Sequence, residues 1–384
     1  NSAHRVVLKA IDSGTTVYGI NTGFGKLSQV RIAPEDLQTL QVNLLRSHAC
    51  GVGEPIAPEI VRLMLYLKIR NLARGYSGCG LAVIEKLAEL LNKDLLPVVP
   101  RQGSVGASGD LAPLAHLSLP LIGEGELYYK QVRHMATALV KQGVYQPVTL
   151  GPKDGLSLIN GTQYSTALLL SGYLQAADLI LMSELAAAMS IEAILATDKP
   201  FRAEIQNVRG QAGQQVVAHH LRNFLQDSAI IRSHRNCPKV QDPYSFRCLP
   251  QVMGAVRDTL DYVRQILDAE TDAVTDNPLV FSDGNEILSG GNFHAEPLAL
   301  AADFLTIALT EAGNLAERRI AVLMDPAMSS LPAFLVKAGG RNSGSMIAHC
   351  TAAALTAENR TLSMPASVDT IPTSANQEDH VSMA

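Results

Sequence analysis

Residues 164–197 are rich in Leu and Ala and would be apolar on nearly every side of a helix. A segment of that length and character has two possible homes, a lipid bilayer or the middle of a helical bundle. Asp178, Glu184 and Glu192 fall inside it, and a charge at bilayer depth is expensive. The segment therefore reads as a central helix surrounded by other helices. Segments 252–274, 298–324 and 346–362 repeat the theme, with Val252, Val256, Val263 and Leu267 at helical spacing. Between these helices a small hairpin is expected, with strands 279–281 and 286–288 joined through Asp283-Gly284.

Composition agrees with a helical core. Apolar residues make up 47% of the chain while aromatics are 5% and Trp is absent, so the interior must be built from Leu, Ala, Val and Ile, which favours packed helices. Before the break at Gly151-Pro152, shorter helical stretches such as 57–72 and 79–91 alternate with Gly- and Pro-rich turns. The expected organisation is mainly α, with a smaller mixed N-terminal domain at 1–155 and a long-helix bundle at 156–384. Helices this apolar need more cover than one chain can give, which predicts a homo-oligomer.

A formal net charge of -5 and the absence of a Lys/Arg cluster argue against nucleic acid or an anionic membrane as partner. Five cysteines, Cys50, Cys79, Cys237, Cys248 and Cys350, have no regular spacing, and no hydrophobic leader opens the chain. They read as reduced, cytoplasmic thiols. His234-x-x-Cys237 is the nearest approach to a metal pattern, but no second pair with ligand spacing completes it. His219 and His220 are adjacent and point to different sides of a helix. No metal site is expected.

The chemistry resides in Ala107-Ser108-Gly109, within GSVGASGDLAPLAH at 103–116. The Gly109 nitrogen can attack the Ala107 carbonyl carbon, and loss of two waters, one of them taking the Ser108 hydroxyl, leaves a conjugated methylidene-imidazolone. Gly109 lets its nitrogen approach without a side chain in the way. Ala107 is small enough for the backbone to fold back, and Ser108 supplies the oxygen whose loss creates the exocyclic double bond. Such a tripeptide arises often by chance, so its meaning depends on its surroundings. Those are VYGINTGFG at 17–25, NLLRSHACGVGEP at 43–55, LINGTQ at 158–163, QDPYSFRCLPQ at 241–251, SGGNFHAEP at 289–297 and SANQEDHVSM at 374–383.

With these motifs in this order, the chain resembles the aromatic amino acid ammonia-lyase family from about Tyr18 to Met383. The resemblance implies a bundle of the fumarase/aspartase-like type whose smaller N-terminal domain carries the electrophile. It also implies a 4-methylidene-imidazol-5-one formed autocatalytically from Ala107-Ser108-Gly109, and a homotetramer with active sites built from several subunits. In the family, Tyr18 of YGINTGFG is a base on a mobile loop over the ring, and the nearby glycines would let that loop close. Arg247 matches the arginine that pairs with the substrate carboxylate, a bidentate task suited to guanidinium. Gln241 and Tyr244 precede it at steps of three and would share its side if the segment is helical or a tight turn. Asn160 is implied to hold substrate or ring, and Phe293 to pack beside the ring. The eight residues Tyr18, His48, Asn160, Gln241, Tyr244, Arg247, Phe293 and Glu378 are expected to gather only when neighbouring subunits are included.

His48 and Glu378 bear on substrate choice, because both match histidine-specific family members. Phenylalanine-specific relatives carry Phe-Leu where Ser47-His48 stands, tyrosine-specific ones His-Leu, and both have an amide in place of the Glu378 carboxylate. An imidazole and a carboxylate can hold a substrate imidazole, whereas a phenyl ring would leave them buried and unpaired. The resemblance thus implies conversion of L-histidine to trans-urocanate and ammonia, with a tyrosine lyase or aromatic aminomutase as the alternative. A fumarase-type lyase should carry a GSSxMPxKxN-like loop, which the sequence lacks. Two departures stand out: Ser345 in NSGSM replaces a Phe, which bears on packing, and family members continue beyond the position of Ala384. The second leaves open a truncated chain that assembles without turnover.

Overall fold

Local sequence explains the helices that build the site. Pro58 opens the helix Pro58–Ala73 with Glu59 in its first turn, a favourable start because proline presets φ and an acid complements the helix dipole. Leu37–His48 buries Leu37, Gln41, Leu44 and Leu45 on one face and ends with Arg46 and His48. Leu81–Asn92 buries Val83, Leu87 and Leu90, and Leu111–Ser118 is buried at six of its positions. The computed structural model describes residues 2–236 and 239–384. Cys237, half of the His234-x-x-Cys237 pattern, lies outside the described residues.

The chain divides into two compact units that are discontinuous in sequence, unlike the contiguous segments expected from the change in periodicity. The first takes the chain up to Ser171 with Ile266–Leu300 and Ala366–Ala384, and the second takes Gly172–Gln265 and Ala301–Pro365. The core of the first unit joins Leu44, Leu65, Leu87, Leu114, Leu127 and Leu158, and among the described residues its buried aromatics are Tyr145 and Tyr164. It also holds the short strands. Val52–Pro55 pairs with Pro100–Gln102, and Leu96–Pro97 joins the hairpin Glu126–Tyr129 and Val132–Met135. The hairpin expected around Asp283-Gly284 is present as Leu279–Phe281 and Glu286–Leu288.

Long helices supply most of the second unit, although Gln163–Ala193 and Glu296–Met324 begin, and Leu249–Glu270 ends, in the first. Expected segment 164–197 is the helix Gln163–Ala193, 252–274 is Leu249–Glu270, 298–324 is Glu296–Met324, and 346–362 is Met346–Leu362. Glu184 is buried and explains the charge in the first of these: its Oε1 accepts from Arg257 Nε at 2.5 Å, and its Oε2 lies 2.7 Å from His220 Nδ1. Gly213 and Gly254 let two helices touch, since a Cβ on Gly254 would stand 2.4 Å from the Gln214 nitrogen. Within the single chain the central helix is only partly covered. Leu174, Leu179, Met182 and Met189 remain exposed along it, and 33% of its most apolar window is buried. Gln163–Ala193 and Glu296–Met324 are both long and apolar enough to cross a membrane by length and composition.

Candidate active site

The first unit encloses an open cleft of about 770 Å³, lined by Tyr18, His48, Ser108, Asn160, Phe293 and Glu378 among others. Five of the eight expected site residues therefore meet within a single chain, without a neighbour. Gln241, Tyr244 and Arg247 belong to the second unit. There Arg247 Nη2 donates to Gln241 Oε1 at 3.0 Å, and its guanidinium carbon lies 4.5 Å from the Tyr244 ring centre. The three share one side around the single turn Tyr244–Arg247, while the Arg247 Nε is buried without a partner.

Ala107-Ser108-Gly109 lies in a turn, not an extended surface segment. Ser108 has φ +52°, Gly109 φ +76° and Gly106 φ +73°, left-handed values that cost a serine about 1 kcal/mol or more. Gly109 cannot carry a side chain, because a Cβ there would stand 2.2 Å from the Gly161 oxygen. The Gly109 nitrogen donates to the Gly106 oxygen at 3.3 Å within this turn.

Glu378 faces this turn. Its Oε1 accepts from Ser108 Oγ at 3.3 Å, and its Oε2 accepts from Thr373 Oγ1 at 2.5 Å. Thr373 and Glu378 also form a backbone bridge around residues 374–376, all three of positive φ. Across the cleft His48 Nδ1 lies 2.9 Å from the Leu44 carbonyl and 3.0 Å from Ser47 Oγ. A carbonyl can only accept, so Nδ1 carries the proton and Nε2 keeps its lone pair. Burial lowers the His48 pKa, opposed by its bond to Leu44 and by the Glu378 charge. His48 is thus a neutral imidazole at neutral pH.

Tyr18 sits in a loop pinned by Asn21, whose Oδ1 accepts from Val17 N at 2.8 Å and whose Nδ2 donates to Thr15 O at 2.8 Å. Gly25 N donates to the Tyr18 hydroxyl at 3.4 Å, and Phe24 meets the ring edge-on at 6.4 Å. Burial raises the Tyr18 pKa, the Gly25 bond opposes this, and the Glu378 charge raises it further. In this arrangement the phenol is protonated at neutral pH.

Asn160 ends the helix Asp154–Ile159 and is held by groups that sequence reasoning missed. Lys68 Nζ donates to its main-chain oxygen at 2.7 Å, and its Nδ2 donates to Asp276 Oδ1 at 3.0 Å and to Asn277 O at 2.9 Å. Burial lowers the Lys68 pKa to about 8, against the pull of Asp276 and Asp110. Asp110, next to Gly109, accepts from Tyr164 N, Ser165 N and Ser165 Oγ at the start of the long helix. Burial pushes its carboxyl up to about 6 despite those bonds. The polar run Thr275-Asp276-Asn277 between apolar neighbours was the available sequence signal; buried lysines at 68 and 153 leave none.

Among the described residues, His294, Glu296 and His380 bring possible metal-ligand atoms within 4.8 Å of one another. Both His294 nitrogens already face partners: Nδ1 accepts from Glu296 N at 3.4 Å, and Nε2 lies 3.3 Å from the His380 oxygen.

The profile of the aromatic amino acid lyase family matches residues 1–384. A histidine ammonia-lyase of Vibrio cholerae is 55% identical over 381 residues, 99% of this chain and 75% of the relative. One from Salmonella heidelberg is 55% identical over 100% of this chain and 76% of its own length. Among solved structures, a histidine ammonia-lyase from Trypanosoma cruzi superposes with TM-score 0.90 at 45% identity, covering 100% of this chain and 72% of that one. A phenylalanine aminomutase from Pantoea agglomerans gives TM-score 0.94 at 30% identity, covering 99% and 77%. This chain belongs to the aromatic amino acid lyase family.

Proposed function

We propose that this chain is a carbon-nitrogen lyase that takes ammonia from L-histidine and leaves trans-urocanate. The fold does not choose among family reactions, since the aminomutase superposes at TM-score 0.94 and the T. cruzi lyase at 0.90. Sequence does favour one, with identities of 55% and 45% to histidine lyases against 30% to that aminomutase. The observation that carries the reading is the cleft shared by Ser108, His48 and Glu378. His48 offers a lone pair at Nε2 and Glu378 a carboxylate, so either can accept from the single N–H of a neutral substrate imidazole, and together they can accept both N–H groups of an imidazolium. A phenyl ring would leave both desolvated without a partner, and a phenol hydroxyl could pair with only one of them.

The strained turn at Ser108 and the absent space for a Cβ on Gly109 fit a methylidene-imidazolone formed from Ala107-Ser108-Gly109. When formed, that group supplies an electrophilic exocyclic carbon for the substrate amine. The chain's own residues do the rest. Tyr18, once ionised, takes the β proton, and closure of its loop excludes water. Phe293 packs beside the reacting centre and Asn160 holds the substrate. Arg247 pairs with the substrate carboxylate, steadied by Gln241 and Tyr244. A homotetramer, with its sites completed by residues of neighbouring subunits, accounts for the exposed apolar helix faces. Four described cysteines are free thiols, which suits a cytoplasmic enzyme.

The test compares turnover of histidine, tyrosine and phenylalanine by the wild type and by Glu378→Gln. Wild type prefers histidine, and the variant loses about ten- to a hundredfold in kcat, the worth of one charge-assisted hydrogen bond. Thermal stability changes little. A wild type that preferred tyrosine or phenylalanine, or a variant with full histidine activity, would remove the histidine assignment and leave the family intact.

A further inference from the structure

Three fully or almost fully buried charges surround one residue of the cleft, Asn160, and one of them holds its side chain. Lys68 and Lys153 are 0% exposed and Asp276 is 1% exposed. Lys153 Nζ donates to Ser157 Oγ at 3.1 Å and to Asp276 Oδ2 at 2.9 Å. Asp276 Oδ1 in turn accepts from Asn160 Nδ2 and from Asn277 N, at 3.0 and 2.7 Å. Lys68 holds the same segment by its backbone, donating to Ser157 O at 3.1 Å and to Asn160 O at 2.7 Å.

This network decides which way the Asn160 amide points. Both groups facing its Nδ2, a carboxylate and the Asn277 carbonyl, can only accept. Turning the amide over would set its oxygen against two acceptors. Both amide hydrogens are thereby used, and Oδ1 is left buried with no partner. An unpaired buried acceptor is costly, so the open valence at Asn160 calls for a donor. Asn160 lines the same cleft as Ser108, and the donor a substrate brings to that place is its amino group.

The ion pair behind Asn160 has no need to exist for stability. Replacing a buried pair by apolar residues of similar volume is often neutral or stabilising. What apolar residues could not do is orient an amide.

We propose that Lys153 and Asp276 are positioning residues that lock the Asn160 amide so that its oxygen, and not its nitrogen, is offered to the amino group of the substrate. This rests on the reading of the cleft as the site for L-histidine. In Asp276→Asn the new amide cannot serve both sides, because its NH2 must face either Lys153 Nζ or the N–H donors of Asn160 and Asn277. The carboxylate that fixed Asn160 Nδ2 is lost, and the orientation of the Asn160 amide is no longer locked.

The test uses the full chain in a Ser108→Ala background, where no electrophile forms and ligands bind without reacting. Calorimetry compares L-histidine with 3-(imidazol-4-yl)propionate, which lacks only the amine. Adding Asp276→Asn should weaken L-histidine about tenfold and leave imidazolylpropionate within about twofold. If Asp276→Asn does not fold, Lys153→Met with Asp276→Leu removes both charges together, and the same selective loss is expected. Equal loss of both ligands, or of neither, overturns the positioning role. Binding of neither ligand before Asp276 is changed overturns the histidine reading itself, and the proposal with it.

Discussion

Two apolar helices of the same chain end in opposite environments. Leu111–Ser118, in the first unit, buries six of its residues directly after the Ala107-Ser108-Gly109 turn. Met346–Leu362, in the second, has seventeen residues and buries none. The first unit closes a core around its helices and places charge inside it, at Lys68, Lys153, Asp110 and Asp276. The second leaves Leu179, Met182, Met189, Ile347 and Leu355 facing outward. A mean composition of 47% apolar residues conceals this division. One unit buries polar groups around a cleft, and the other leaves large apolar side chains exposed in the single chain.

That contrast can be broken most forcefully at the exposed face. Met182→Lys with Met189→Lys places two charges on residues that are 60% and 65% exposed in the single chain. If the face is covered by other copies, sedimentation velocity should show a smaller species. Activity should fall by more than about tenfold, because the sites lose residues supplied by neighbours. An unchanged sedimentation coefficient with full activity would mean that this face is not an assembly surface.

The buried side of the contrast is sharpened by pH. Burial and the Glu378 charge hold the Tyr18 pKa above its ordinary value, so at neutral pH the base form is the minor one. kcat/KM should climb as pH rises toward the Tyr18 pKa. Glu378→Gln removes one of the raising influences, so the climb should begin at lower pH in the variant while the substrate's own ionisation is common to both. A profile of unchanged position in Glu378→Gln would separate Tyr18 from the base role.

Periodicity made the long helices legible, and Met346–Leu362 begins and ends where the pattern does. The hairpin Leu279–Phe281 and Glu286–Leu288 was legible from Asp283-Gly284. The hairpin Glu126–Tyr129 and Val132–Met135 was not, because its turn is Lys130-Gln131. Both residues have positive φ there, 51° and 65°, without the Gly or Asn that ordinarily marks such a turn. Ser108 and Glu378 are 270 residues apart, so only the family resemblance could put them in one site. Asp276 and Lys153 lie 116 and 7 residues from Asn160 and act through it. Nothing local marks a lysine for burial, since its partner is supplied by the fold.

The central claim is that the Ser108 turn of the first unit makes its own electrophile, and intact-mass spectrometry of the purified chain tests it most directly. The account predicts a mass lower than that of the encoded polypeptide by two waters, and the full mass in Ser108→Ala. A wild-type chain of full mass that nevertheless released ammonia from histidine would contradict it.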